Sequence, residues 1–195
     1  HPRSALEALR VQLATRDGLL IVDEAFADAA PDTSMVDHAG ADSLVVLRSF
    51  GKFYGLAGLR LGFALGPNAL METLRDSLGP WSVTGPGITI GTQALMDTRW
   101  RNESATALAT AALRLRSRAL ETGLEVIGGT ELFTLIHHES AANLYRALAE
   151  HHILVRKFSH APAYLRIGLP SSKVIEDHIF DVSAACLRRE SIGPI

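Results

Sequence analysis

Short runs made almost entirely of apolar residues constrain the fold of this chain more than any other feature. Residues 19–22 (LLIV), the LVVL core of residues 43–49, and residues 61–66 are three such runs, and the first two end in polar residues. Strands of this composition are typical of parallel sheets that are buried on both faces. A helix that starts at Ser4, with Glu7 as its capping-box partner, and a second helix over 68–78 complete the pattern. We therefore predict an α/β fold.

After residue 85 the pattern changes to that of a smaller α+β unit. The Gly85-Pro86-Gly87 sequence is expected to break the chain before a long helical stretch, which runs to about residue 122 with an interruption near 98–103. We place a domain boundary inside this stretch, giving domains of residues 1–112 and 113–195. The elements predicted beyond it are strands at 124–127, 132–136, 153–156 and 164–167, and helices at 140–151 and 172–189.

The composition excludes several classes of protein. A net charge of −2 gives no electrostatic basis for binding nucleic acid or an anionic membrane. No apolar run approaches the roughly 20 residues of a membrane span. The single cysteine, Cys186, cannot form an intrachain disulfide, and it fits a reducing compartment such as the cytoplasm. Adjacent histidines at 137–138 and 151–152 point apart on a strand or a helix, so no metal site is expected.

Polar residues suited to chemistry follow the first two apolar runs. Asp23 comes just after the first run, at the sheet edge where open α/β proteins bind ligands, although a turn-capping aspartate would occupy the same position. Residues 49–60 contain three glycines together with Ser49, Lys52 and Arg60. Serine and arginine bind phosphate, and a lysine beside them is either a further phosphate contact or an activated nucleophile. The spacing alone fits a glycine-rich surface loop equally well.

Four ordered motifs resemble one family. They are VDEAF at 22–26, SFGK at 49–52, GLAGLRLG at 55–62 and YLRIGLP at 164–170. In this order they are similar to the fold-type I pyridoxal 5'-phosphate (PLP) enzymes of the aspartate aminotransferase superfamily, in the branch of histidinol-phosphate aminotransferase and threonine-phosphate decarboxylase. The resemblance implies that 1–112 is the second half of the large PLP-binding domain and 113–195 the small carboxyl-terminal domain. It also implies a homodimer.

The resemblance implies a role for each cofactor-binding residue. Lys52 would form the Schiff base with PLP and then transfer protons, and Asp23 would pair with the ring nitrogen. Ala25 would lie against one face of the ring. The phosphate of the cofactor would be bound by Ser49 and Arg60.

The substrate residues implied by the resemblance are two arginines. Arg166 would bind the substrate carboxylate, and Arg156 corresponds to the family arginine that contacts the substrate phosphate. Two positions depart from the family pattern. Phe26 replaces a tyrosine that binds the ring oxygen of PLP in many aminotransferases, and Gly51 stands where relatives often have serine. The Phe26 form is closer to the decarboxylases.

These implications favour a threonine-phosphate decarboxylase of cobalamin biosynthesis, with transamination of histidinol phosphate as the alternative reaction on the same residues. A non-catalytic module for binding or dimerisation is a second alternative. The family's amino-terminal motifs, which include an Asn-Pro-x-Asn-Pro-x-Gly run and a ring-stacking aromatic, do not occur in this sequence. We therefore expect a fragment that lacks the amino-terminal part and has little activity alone.

Overall fold

The computed structural model describes residues 1–191, which form two compact units. The first unit is His1–Ala105, and the second begins at Thr106. The division falls inside a single helix, Thr98–Glu121, which also contains the boundary predicted at residue 112. That boundary stays a prediction. Among the described residues, no helix combines the length and the apolar character needed to cross a membrane.

The first unit is a three-stranded sheet with helices before and after it. Its strands are β1 (Leu20–Asp23), β2 (Leu44–Ser49) and β3 (Gly62–Leu65). Its helices are α1 (Arg3–Ala14), α2 (Asn68–Leu78), α3 (Gly85–Met96) and the first turns of α4 (Thr98–Glu121). Single turns of 3-10 helix lie in the connections, at Ala27–Ala29, Pro31–Thr33, Val36–His38 and Ala57–Leu59.

The strand directions differ from the prediction at one position. β1 is parallel to β2, with Asp23 opposite Leu47, as the apolar runs indicate. β3 is antiparallel to β2, with Ser49 opposite Gly62. The expectation that β3 is a third parallel strand is therefore wrong. The connection from β2 to β3 holds only one short 3-10 turn, whereas parallel neighbours need a longer crossover that is usually an α-helix.

The two faces of this sheet have different surroundings. Leu20, Leu44 and Val46 lie in a core cluster with the fully buried Met35. On the other face, Ile21 and Leu47 are 59% and 37% exposed. Val45 on that same face is 6% exposed, so the described residues cover this face only in part.

Two helix starts also differ from the sequence-based expectation. Pro2 precedes the first turn of α1 and makes no side-chain cap, so the capping box of Ser4 and Glu7 is wrong. Glu7 instead accepts hydrogen bonds from Arg10, three residues further along the helix, at 2.6 and 2.9 Å. Residues 85–87 begin α3, with Thr84 accepting a hydrogen bond from the N–H of Gly87 at 3.1 Å.

The second unit is an antiparallel sheet packed with helices, as predicted for the α+β segment. The strands are β4 (Glu125–Thr130), β5 (Phe133–His137), β6 (Arg156–Lys157) and β7 (Tyr164–Gly168), in the spatial order β4-β5-β7-β6. The helices are the remainder of α4, α5 (Ala141–Glu150) and α6 (Lys173–Ser191). The core includes the fully buried Leu115, Ile136, Leu144 and Leu148, contributed by α4, β5 and α5.

Candidate active site

Asp23 lies at the carboxyl end of β1, on the open face of the sheet. Its carboxylate Oδ1 accepts a hydrogen bond from the N–H of Ala25 at 3.0 Å, which closes a tight turn directly after the strand. The residue is exposed, and Ala25 is half-buried. Because the second carboxylate oxygen has no such bond to the turn, Asp23 can offer an acceptor to a cationic ligand atom above the sheet.

A small cavity brings Ser49 and Arg60 together. Its volume is about 200 Å³, and its lining is Arg48, Ser49, Gly51, Ala57, Arg60, Leu61 and Gly62. Ser49 Oγ accepts a hydrogen bond from the N–H of Gly51 at 3.1 Å. The hydroxyl of Ser49 and the guanidinium of Arg60 at one small opening are chemically suited to an anion such as a phosphate.

Backbone geometry shapes this cavity. Arg60 has φ of 51° in the left-handed region, at the end of the Ala57–Leu59 turn, and its Nη1 donates to the carbonyl of Ala57 at 3.3 Å. A Cβ at Gly62 would lie 2.9 Å from the carbonyl oxygen of Arg48, closer than side chains tolerate. Gly62 is therefore required where β3 approaches β2, beside the cavity that Ser49 and Arg60 both line.

Lys52 follows Ser49 by three residues and lies beside the segment that carries Asp23. The Lys52 side chain is exposed, and its Nζ is 5.6 Å from the centroid of the Phe26 ring. A cation over an aromatic face at this distance is weakly attracted. The Phe26 contact therefore links the turn after β1 to the loop after β2, so that Lys52, Asp23 and Ala25 belong to one edge of the sheet.

Aromatic rings pack against one another around the loop that carries Lys52. Phe50 stacks on Tyr54 with centroids 4.6 Å apart, and Trp100 on α4 stacks on the other side at 5.8 Å. Phe53 meets Tyr54 edge to face at 5.2 Å. Burial raises the pKa of the Tyr54 hydroxyl, and the charge of Asp28 adds to the increase, while nearby arginines oppose it. Lys52 is thus an exposed residue on a loop whose neighbours are buried.

A buried ionic network lies on the opposite face of the same sheet, and the sequence analysis did not identify it. The Glu24 carboxylate pairs with the guanidinium of Arg48, which also binds Asp28. Ser34 donates to Glu24 at 2.6 Å. One signal was available in the sequence: a glutamate and an arginine each follow an apolar run, at positions that a parallel pairing would align.

The two predicted substrate arginines lie together in the second unit. Arg156 on β6 and Arg166 on β7 are direct cross-strand partners. Arg166 also lies over the ring of Phe133, with its guanidinium carbon 5.0 Å from the ring centroid. Among the residues that the structure describes, neither arginine has an ion pair with a carboxylate. Two facing cations without a counter-charge are suited to a doubly anionic ligand.

The histidine pairs do not assemble a metal site in the described structure. His137 Nδ1 is 2.7 Å from Glu125, and His138 accepts a hydrogen bond from the N–H of Ser140. Over residues 1–191 no group of three or more His, Cys, Asp or Glu residues is arranged to hold a metal ion.

Fold and site together define an α/β protein with an exposed lysine, a carboxylate and a cavity suited to an anion at one edge of the sheet. The family profile described as aminotransferase class I and II matches residues 2–178, and the chain belongs to that family. PLP is the cofactor of the family, and the cavity lined by Ser49 and Arg60 is chemically suited to a phosphate.

Individual relatives indicate which members of the family this chain resembles. A threonine-phosphate decarboxylase of Sinorhizobium sp is 45% identical over 186 residues, which cover 92% of this chain and 54% of the relative. Histidinol-phosphate aminotransferase 1 of Bradyrhizobium diazoefficiens is 34% identical, and the match covers 80% of this chain and 46% of the relative. The structure of histidinol-phosphate aminotransferase from Sinorhizobium meliloti in complex with PLP superposes with a TM-score of 0.68 at 24% identity, over 90% of this chain and 50% of that one. The chain spans about half the length of the curated relatives it matches.

Proposed function

We propose that this chain is part of a PLP-dependent decarboxylase that acts on threonine phosphate. The observation that carries the proposal is the cavity lined by Ser49 and Arg60. Ser49 precedes Lys52 by three residues and lies at the same sheet edge as Asp23. The 45% identical relative, a threonine-phosphate decarboxylase, supports this choice of reaction.

At the cofactor end, each residue of the first unit has a defined task. Ser49 and Arg60 bind the phosphate, and Asp23 accepts a hydrogen bond from the protonated ring nitrogen. Ala25 packs against the ring face with a small side chain that leaves room for it. When bound, PLP supplies an electron-accepting ring. Lys52 anchors the cofactor through Nζ, and later uses the same nitrogen to move a proton at the substrate carbon.

At the substrate end, the two arginines of the second unit bind the anionic groups. Arg166 binds the carboxylate, and Arg156 binds the phosphate. Their direct cross-strand pairing supports binding of one ligand by both arginines, because side chains directly opposite in an antiparallel pair lie on one face, about 5 Å apart at Cβ. A substrate with two anionic ends relieves the repulsion between the two guanidinium groups, so the same contacts provide affinity and selectivity.

Phe26 supports decarboxylation over transamination, because phenylalanine at this position resembles the decarboxylases, whereas many aminotransferases have tyrosine there. Its ring lies beside Lys52 Nζ and has no hydroxyl to donate to the cofactor. In decarboxylation Nζ delivers a proton to the carbon that has lost carbon dioxide, whereas in transamination Nζ first removes a proton from that carbon. Transamination of histidinol phosphate is the second candidate, since a 34% identical relative is a histidinol-phosphate aminotransferase.

The proposal extends to the whole protein in three respects. The active form is a homodimer, the product serves cobalamin biosynthesis, and the location is the cytoplasm, for which the single cysteine is the support. The non-catalytic module is the less favoured alternative, since the cradle, Lys52 and Asp23 occur together. We also propose that the isolated chain has little activity, because it spans about half the length of its relatives.

The reaction is tested by incubating threonine phosphate and histidinol phosphate separately with the isolated chain and with a longer protein that contains it. Carbon dioxide released from threonine phosphate is the expected result for the longer protein. A ketone formed from histidinol phosphate, with 2-oxoglutarate as amino acceptor, would favour the aminotransferase instead. Normal turnover by the isolated chain would contradict the proposed dependence on further residues.

A further inference from the structure

The buried carboxylate of Glu24 accepts hydrogen bonds from three donors in two segments, residues 34–35 and β2. The side chain is 4% exposed. One oxygen accepts hydrogen bonds from Ser34 Oγ at 2.6 Å and from Arg48 Nη1 at 3.0 Å. The other accepts from the backbone N–H of Met35 at 2.5 Å. A buried carboxylate with this many partners is held in a single position.

Arg48 extends the network to a second carboxylate. Its Nη1 also lies 3.2 Å from Ser34 Oγ, and its Nη2 binds the carboxylate of Asp28. The Arg48 side chain is 20% exposed, so the guanidinium is largely removed from water. Replacing a buried ion pair by apolar residues is often neutral or stabilising, so such a pair is weak evidence for stability as its purpose. Its directional bonds do fix geometry.

The position of this network relates it to the candidate active site. Successive residues of a strand point to opposite faces, so Glu24 and Arg48 lie under the sheet while Asp23 and Ser49 lie on top. Glu24 is the direct sequence neighbour of Asp23, and its N–H donates to the carbonyl of Leu47 at 2.8 Å. Arg48 directly precedes Ser49.

We infer that Glu24 and Arg48 are positioning residues, which fix the spacing between the Asp23 turn and the Ser49 cradle from the buried face. The inference rests on the proposed function, in which these two sites bind opposite ends of PLP. The ion pair connects the ends of β1 and β2 where strand pairing stops. With the pair in place, the ring-nitrogen acceptor and the phosphate cradle keep a constant separation before the cofactor arrives.

The test compares Glu24→Gln and Ser34→Ala with Leu44→Ala in the purified chain. In Glu24→Gln, the amide N–H₂ faces groups that themselves donate hydrogen bonds, so at least one of these bonds is lost. Ser34→Ala removes a single donor and is the milder change. Leu44 is fully buried near the other end of β2, so its truncation weakens the same unit without touching the network. The midpoint of thermal unfolding is recorded for all three variants. PLP affinity is measured by absorbance titration, and exchange of the Ala25 amide hydrogen is measured without PLP.

A positioning role predicts that Glu24→Gln weakens PLP binding by roughly ten- to hundredfold, which is the typical loss when a residue that orients a direct ligand is replaced. A smaller loss is expected in Ser34→Ala. Ala25 exchange is expected to accelerate about tenfold in Glu24→Gln beyond any change in Leu44→Ala at equal loss of thermal stability. Unchanged affinity in Glu24→Gln, or an equal loss in Leu44→Ala, would overturn the inference. If the unsubstituted chain does not bind PLP, the proposed function fails for this chain, and the Ala25 exchange still decides the inference.

Discussion

Arg156 on β6 is the direct cross-strand partner of Arg166 on β7, and neither forms an ion pair with any carboxylate that the structure describes. Like charges placed directly opposite each other destabilise a sheet. An anionic ligand bound between the two guanidinium groups would offset this repulsion and stabilise the second unit.

Arg156→Met is therefore expected to have opposite effects with and without ligand. Without ligand, the melting temperature rises slightly, because the repulsion from Arg166 is removed. In a protein that binds threonine phosphate, the increase in melting temperature caused by this ligand is reduced. Thermal denaturation with and without threonine phosphate measures both effects. Arg146→Met, an exposed arginine on α5, is the control and leaves the ligand effect intact. A full ligand effect in Arg156→Met would contradict the role of Arg156.

Gly51→Ser is expected to tighten PLP binding. A Cβ at residue 51 would meet Ser49 Oγ at 3.4 Å and Ala57 at 3.5 Å, which are ordinary contacts, so the fold accepts the substitution. The new hydroxyl lies at the cavity of Ser49 and Arg60 and can add one hydrogen bond to a phosphate. One such bond corresponds to about a three- to tenfold gain in affinity.

The matched control for this substitution is Gly58→Ser. A Cβ at Gly58 has no atom within 4 Å, and Gly58 is outside the lining of the cavity. Absorbance titration of both variants with PLP separates a local contact from a general effect of serine. Equal affinities in the two variants would show that residue 51 does not face the phosphate.

Tyr54→Phe is expected to change stability at alkaline pH. Burial, together with the charge of Asp28, raises the pKa of the Tyr54 hydroxyl above its ordinary value of 10.0. The folded state therefore keeps its proton at a pH where the unfolded state has lost it. This contribution to stability is present below the ordinary pKa and is lost as the pH rises through the raised one.

The measurement is the melting temperature of the chain and of Tyr54→Phe from neutral pH to pH values above 10. The unsubstituted chain should lose stability more steeply than Tyr54→Phe over the alkaline range. Parallel curves for the two proteins would show that the hydroxyl at residue 54 titrates normally.

Local patterns allowed much of the fold to be predicted from the sequence. The apolar runs predict β1 and β2. Ser49 and Arg60, which the resemblance groups as phosphate ligands, line one cavity. The direction in which β3 pairs with β2 could not be predicted from composition, because β3 has the composition of a parallel strand. The short loop between the two strands makes the pairing antiparallel. The helix cap predicted at Ser4 is wrong, because α1 already begins at Arg3, with Pro2 before it.

Long-range side-chain pairing could be predicted from the sequence only where the strand register was already known. Glu24 and Arg48 are 24 residues apart and meet only when β1 and β2 pair in the correct register. The same reason applies to Phe26 and Lys52, whose contact depends on where two loops leave the sheet. The opposition of Arg156 and Arg166 likewise depends on the pairing of β6 with β7.

The most direct test of the account is the visible absorbance of PLP added to the protein, compared between the unsubstituted protein, Lys52→Ala and the control Lys173→Ala. A lysine-bound PLP is expected to absorb near about 420 nm. The account predicts that this band forms in the unsubstituted protein and in Lys173→Ala and is lost in Lys52→Ala. A band that persists in Lys52→Ala would contradict the central claim that Lys52 holds the cofactor.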